Sequence, residues 1–428
     1  MPKVKKTKTP WKHQALTPPE SPEEPSVIPL PSLPKVMMNS FLQGPIITHL
    51  APNTEYDPTT ISHYITSVLE EVNQDNAYGI LAGVTEDGGP VVPTLIFGIP
   101  SPNLLPLTLP STPFQLPILM KQDAIMAITV FDTVWDKDPV YGTDQIELAP
   151  LSVGVEGCLD NAGSFGGFLR KPSMPDMLFG ITAAHCLPET GQMTNVCSPS
   201  SAEITGRLHR ILPYTTLQKK DLEARSMLEQ YHFTDTGSGV TILDPTEDFQ
   251  RKTGVFHGRH VGRVIASGFG DQQGLLHSYD KWLGENGHNK FIADPTWNTR
   301  MDWSIFSCDP TRFAGNIYDE ITITSIGALY PGVQVEKIGR TTGVTEGHVN
   351  GFLLQRWVGA KATYEIAITG DKGLPFAAVG DSGGCVLVKA NNQYLAGGIL
   401  IGINTGNNFA IVTPFHLILA AVPEYVWA

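Results

Sequence analysis

Residues Gly180 to Pro188 read GITAAHCLP. A small, apolar, strand-like run ends there on a histidine, and a cysteine follows directly. Two readings of His185 are open: a core histidine that has found a hydrogen-bond partner, or a general base held at a strand end. Nine residues do not decide between them, so the decision passes to the rest of the chain.

Far downstream, Val379 to Leu387 read VGDSGGCVL. A serine among glycines can be a plain turn. It also meets what an acyl-transfer nucleophile needs: a hydroxyl projecting from a tight turn, with backbone amides converging on one point to hold an oxyanion. Gly380 and Gly383 permit the backbone angles and the close approach that such a turn requires. A serine hydroxyl is a poor nucleophile near neutral pH, so it needs an adjacent base, and the base needs an acid that sets its tautomer. Between the two motifs lies RMDWSIFSC, where Asp302 precedes an apolar run of strand character. Alone it is a turn residue. With His185 and Ser382 it completes the order His, Asp, Ser. Asp294 and Asp309 are the neighbouring alternatives, and Asp302 is preferred because the strand behind it would fix its carboxylate at the edge of a core.

TAAHC, an aspartate opening an apolar strand, and GDSGG, in that order, resemble the chymotrypsin-like (trypsin-fold) serine peptidases, over about residues 146–428. The resemblance implies two six-stranded antiparallel β-barrels with the site between them. It implies His185 as general base and then acid, Asp302 as its orienting partner, Ser382 as nucleophile, and the amides of Gly380 and Ser382 as the oxyanion hole. KIGRTTGVTEGHV, Lys337 to Val349, is similar to a hairpin of intracellular trypsin-like peptidases of fungi and plants and of some bacterial secreted ones, and speaks for fold more than for catalysis. Two family devices are missing. Phe165, not cysteine, precedes Gly166-Gly167, so the disulfide that secreted members make to the cysteine after the histidine cannot form. No Arg-Ile-Val-Gly-Gly stretch precedes the barrels, so Asp381 must find a partner other than a new N-terminus or stay solvated. The specificity pocket is expected around Phe376 at its floor, with Ile401 and Ile403 at its wall and no aspartate for Arg or Lys, which implies small or medium apolar side chains.

The 428-residue chain carries a net charge of -13, which argues against a main role in binding nucleic acid. Its 42 glycines and 34 prolines punctuate short apolar runs, a mainly β pattern. No apolar run approaches the ~20 residues that cross a bilayer, and no secretory signal is read at the start. Five widely spaced cysteines without a CxxC pattern suggest reduced thiols in an intracellular protein, cytoplasmic or nuclear. No metal or organic cofactor is expected. HGRH at His257–His260 lacks companions at ligand spacing and reads as a loop, and GFGDQQG lacks a phosphate-loop lysine and precedes no clear helix.

Residues 1–40, with PESPEEPSVIPLPSLP, read as a disordered tail whose lysines are either a localisation signal or simply solvated. Residues 41–145 read as a small α+β region. Ile61, Tyr64, Ile65, Val68, Leu69 and Val72 recur at helical spacing behind Asp57-Pro58, and YGILAGV, VVPTLIFGI and AIMAITVF read as strands. Residues 146–428 form the peptidase-like domain. Its long stretch between His185 and Asp302 reads as a loop insertion with a helix in TTLQKKDLEARSMLEQY, where Leu217, Ala224, Leu228 and Tyr231 share a face. The function expected is a serine endopeptidase acting on protein or peptide substrates. An inactive peptidase-fold binding module and an ester-directed acyl hydrolase are the alternatives. The N-terminal region is expected to restrain or target the enzyme, with either the polar linker Trp135–Pro150 cut by the enzyme itself and the two parts staying associated, or a permanent docking domain that is never cleaved.

Overall fold

Asp57 opens the first helix, α1 (Pro58–Val72), with its Oδ2 accepting the Thr60 N–H at 2.9 Å and proline in the first turn. Asn73 closes it in the left-handed region at φ 44°, donating its N–H to the Leu69 carbonyl at 2.8 Å. All six residues of the expected apolar face are buried. They pack on Leu81, Leu95 and Phe97 and on Phe352 and Trp357 from much later in the chain. The computed structural model describes residues 45–126, 152–201 and 260–428, apart from 53–54, 87–88, 102–110, 159–161, 188–193, 199, 311–314, 319–320, 391–392 and 407. The tail, the linker, the helix expected at 215–231 and His257 lie outside the described residues.

Strands β1 (Tyr78–Thr85) and β2 (Val92–Ile99) pair antiparallel beneath α1, and Ile118–Gln122 adds in parallel to β2. Of AIMAITVF, only β3 (Ile125–Met126) is described. A second group of strands carries two of the candidate residues. In it, β4 (Met174–Thr182) and β5 (His260–Gln273) flank β6 (Asn298–Cys308), with Thr182 opposite Ser304 and Phe269 opposite Asp302. Because β4 runs antiparallel to β6, the chain leaving Thr182 toward His185 passes the end of β6 that holds Asp302. Phe165, where the resemblance would have a cysteine, packs its ring on Phe168 and edge-on to Phe306 at 4.7 and 5.8 Å. An aromatic cluster thus occupies the disulfide's place. All five cysteines are free.

The hairpin of β7 (Gln334–Gly339) and β8 (Gly343–Val349) begins the C-terminal group. It continues through β9 (Leu354–Val358), β10 (Lys361–Gly370), β11 (Cys385–Ala390), β12 (Gln393–Asn404) and β13 (Phe409–Pro414). The run EGHVNGFLLQ is broken by Asn350, whose buried side chain accepts from Leu50 N at 2.8 Å and donates to the Leu81 and Phe352 carbonyls at 2.9 Å. Of ITITSIG, only Ile321–Thr322 is a strand. Helix α2 (Leu275–Glu285) follows GFGDQQG directly, which corrects the expectation that no helix does. That segment is itself the end of β5. Helix α3 (Phe415–Ala421) was not foreseen. The fold is mainly β. The described pairings link twenty strands into one network beside a separate two-stranded ladder, which leaves two six-stranded barrels as what the resemblance implies.

The described residues form one compact unit, and the N-terminal strands are paired into it: Gly79 and Tyr78 lie opposite Gln355 and Arg356, and Met126 and Ile125 opposite Ile403 and Asn404. Leu69, fully buried, sits where α1 meets this body. Leu69→Ala is expected to lower the unfolding free energy by about 2–5 kcal/mol, read by urea denaturation. A change below about 1 kcal/mol would mean that α1 is not part of the cooperative core.

Candidate active site

His185 stands in the short turn after β4, and Ser382 in the turn before β11. The structure brings them together with Asp302. His185 Nδ1 lies 2.6 Å from Asp302 Oδ2, and its Nε2 lies 2.9 Å from Ser382 Oγ. The His185 backbone N–H donates to Asp302 Oδ1 at 3.0 Å, so both carboxylate oxygens hold the histidine, one through the ring and one through the main chain. Asp294 is half-buried and caps its own turn, accepting from Thr296 N at 2.8 Å and Thr296 Oγ1 at 2.5 Å. The side chains of His185 and Asp302 are 8% and 4% exposed, and Ser382 is 0% exposed. The His185 pKa is raised well above the ordinary histidine value. Burial, the largest influence, lowers it and is outweighed by the adjacent Cys186 and the bonded Asp302.

The GDSGG turn is held from three sides. Gly380 and Gly383 have φ of 97° and 83°, and a Cβ on Gly383 would lie 2.0 Å from Thr182 Oγ1. The amides of Asp381, Gly383 and Gly384 donate to Ala378, Leu400 and Asp381 carbonyls at 3.1, 2.7 and 2.9 Å. Among the described residues, the Gly380 and Ser382 amides form no hydrogen bond. Ser164 was missed in the sequence. Its N–H donates to the Ser382 carbonyl at 2.6 Å, its Oγ donates to the Gly380 carbonyl at 3.0 Å, and the same Oγ accepts from Arg340 N at 2.8 Å.

Asp381 finds its partners within the chain. Its Oδ1 accepts from the Thr341 and Thr342 amides at 2.7 and 3.2 Å; its Oδ2 accepts from Thr342 Oγ1 at 2.7 Å and Ala378 N at 3.0 Å. Lys337 Nζ completes the set at 3.1 Å from Oδ2, with both side chains fully buried. Burial lowers the Lys337 pKa, and Asp381 pulls it back up. The GRTTG hairpin therefore binds the turn that carries Ser382, a role its glycine pattern did not signal.

Of the expected pocket residues, Phe376 is fully buried, and a Cβ on Gly347 would lie 2.8 Å from its ring. Ile401 lines a cavity beside Asp302, and Ile403 pairs with Met126. Glu365, buried near Asp302, has its pKa pushed up to about 7 by burial, against hydrogen bonds from Arg300 N and Thr299 Oγ1 and the charge of Arg356. Among the described residues no group of three or more His, Cys, Asp or Glu could hold a metal ion, and no helix is long and apolar enough to cross a membrane.

The model of Peptidase family S64 matches residues 298–422. Similar solved structures include a glutamic acid specific serine protease described as using a histidine triad in substrate binding, at 16% identity and TM-score 0.34, over 66% of this chain and 100% of that one. Thermobifida fusca Protease A is similar at 14% identity and TM-score 0.34, over 66% and 100%. A Cellulomonas bogoriensis chymotrypsin is similar at 14% and 0.32, over 66% and 99%. Over residues 298–422 the chain is thus similar to a peptidase family.

Removing one member of a buried ion pair strands the other. Lys337→Met is expected to cost about 3–5 kcal/mol of unfolding free energy, and the double change with Asp381→Asn less than the two singles combined. Denaturant titration of the four proteins reads the coupling. Simple additivity would mean that the contact contributes nothing.

Proposed function

We propose that this chain is a serine endopeptidase that hydrolyses peptide bonds through an acyl-enzyme. The observation that carries the reading is the unbroken hydrogen-bond chain from Asp302 through His185 to Ser382. Ser382 Oγ attacks the substrate carbonyl carbon as its proton passes to His185 Nε2. Asp302, on Nδ1, sets the tautomer that leaves Nε2 free to accept, and it stabilises the imidazolium once formed. The carbonyl oxygen gains negative charge, which the Gly380 and Ser382 amides are free to take up. His185 then gives its proton to the leaving amine, the C–N bond breaks, and the acyl group remains on Ser382. Water, deprotonated by the same histidine, attacks the ester and frees Ser382. Apolar Ile401 and Ile403 favour a small or medium apolar residue at the cut. Free cysteines suit a reducing, intracellular setting.

A fluorophosphonate probe is expected to label the native protein and not Ser382→Ala; equal labelling, or none of either, would favour a binding module. His185 must be neutral to accept a proton, and its pKa is raised, so hydrolysis should rise with pH through a midpoint above the ordinary histidine range. Asp302→Asn should cut turnover by ~10⁴ and, by removing one of the groups that raise the pKa, move that midpoint down.

The N-terminal region is proposed to restrain access to the site and to stay bound after self-cleavage in the linker Trp135–Pro150. Two observations support this: Ser382 has no exposed surface, and the strands before the linker pair with β9 and β12. Native protein and Ser382→Ala are compared on a denaturing gel and by size exclusion. A shorter fragment in the native form alone, co-eluting with its remainder, is expected. One full-length band in both would end the proposal.

A further inference from the structure

The two amides offered to the oxyanion belong to a run of three peptide units, and each unit is held by its carbonyl. The Gly380 carbonyl accepts from Ser164 Oγ at 3.0 Å, and the Asp381 carbonyl from Gly384 N at 2.9 Å. The Val379 carbonyl accepts from Thr341 Oγ1 at 2.7 Å, and among the described residues it takes no other bond. A peptide unit is planar and trans, so its C=O and its N–H point in opposite directions. Whatever fixes the Val379 carbonyl therefore aims the Gly380 N–H. By the same rule, the bond from Gly384 aims the Ser382 N–H.

The first of these planes is the one that the turn itself leaves open. Ala378 to Asp381 is a four-residue turn closed by Asp381 N on the Ala378 carbonyl at 3.1 Å, with Gly380 in third place at φ 97°. That is the type II sense. Type I differs from it by a half-turn of the central peptide, here Val379–Gly380, with the closing bond kept. Glycine accepts φ of either sign, so the residue that permits the hole also permits its loss. The Asp381 carboxylate does not choose between the two, because it bonds Ala378 N and the GRTTG hairpin and not the central peptide. The Thr341 hydroxyl does choose. Turned over, the plane would lose this bond and set the Val379 oxygen on the side that the Gly380 N–H now faces.

We propose that Thr341 is a positioning residue for the oxyanion hole, its hydroxyl holding the Val379–Gly380 peptide in the one orientation that presents the Gly380 N–H to the carbonyl oxygen as it gains charge. The proposal rests on the serine-peptidase reading and adds to it a residue that touches neither substrate nor triad. Thr341 is itself anchored through its amide, which donates to Asp381 Oδ1 at 2.7 Å. Anchor and hydroxyl are therefore separable: Thr341→Val keeps the amide and the branched shape and loses the hydroxyl alone.

The test uses the full chain and a fluorogenic peptide with an apolar residue at the cut, and compares native protein with Thr341→Val and Thr341→Ser. Removing one oxyanion donor outright costs ~10²–10³ in turnover. A plane merely freed to turn over is expected to lower kcat about tenfold to a hundredfold in Thr341→Val, with KM within about twofold, and Thr341→Ser is expected to recover most of the loss. The rate at which a fluorophosphonate labels Ser382 should fall in step, since the phosphonyl oxygen takes the place of the oxyanion. The pH midpoint of hydrolysis should stay where it is, because His185 and Asp302 keep all their contacts. An unchanged kcat in Thr341→Val would overturn the proposal, as would a Thr341→Ser form as slow as Thr341→Val. Failure of the fluorophosphonate to label even the native protein removes the peptidase reading and this proposal with it, whereas labelling of native and Thr341→Val at one rate removes only the role of Thr341. If Thr341→Val fails to fold by circular dichroism, Thr341→Ala against Thr341→Ser carries the same comparison.

Discussion

The Asp381 carboxylate is the constraint on which the candidate site depends. It lies between Gly380 and Ser382, so whatever pins it also pins the amides and the hydroxyl on either side. Lys337, Thr341, Thr342 and the Ala378 amide surround it completely, and none of the charge meets water. A buried carboxylate would otherwise be forced out or protonated. Lys337 comes from β7, so the turn is tied to a strand in the middle of the C-terminal group, and Ser164 ties the same turn toward β4. The positive charge arises within the folded chain. A chain that brings its own cation needs no newly cut N-terminus to order this turn.

A second framework joins the strands near residues 78–123 to those near 350–405. Asp123 accepts from Tyr78 Oη at 2.8 Å and Asn404 Nδ2 at 2.6 Å, and it also bonds the Thr405 hydroxyl, joining β1 to the end of β12. Asn350 does the same between the Leu50 and Leu81 backbones and the break after β8. These buried polar groups are satisfied at fixed distances, and each requires its partners from both parts of the chain at once. The described residues from 45 to 126 are consequently continuous with the strands around the site. The cavity beside Asp302 shares this construction, since Arg356 rests on Asn76 from before β1.

Helix α1 was legible because three signals agree: an Asp cap, a proline in the first turn, and an apolar face at helical spacing. Most of the C-terminal strands were legible from apolar runs between glycines. Helix α2 was hidden because glycine, with no side chain to cap, stands at its start, and because GFGDQQ before it lacks the apolar alternation of a strand yet pairs along β6. Ser164 and Lys337 were hidden for another reason. Serine in a glycine-rich loop looks like a turn residue, and lysine looks solvated; only their distant partners give either a place in the interior.

By itself the sequence determined the residue types and their order: histidine after a small apolar run, aspartate before a strand, serine among glycines, and phenylalanine where a disulfide would need cysteine. Those are local properties, written in short windows of chain. Only the tertiary structure decided that Asp302 and not Asp294 meets His185, that Lys337 holds Asp381, and that Arg300, Arg356 and Glu365 enclose one cavity. Each of these joins strands that the chain order separates. Hydrogen bonds and buried charges act over a few ångströms, and the pairing of β4 with β6 and of β7 with β11 sets which groups stand that close.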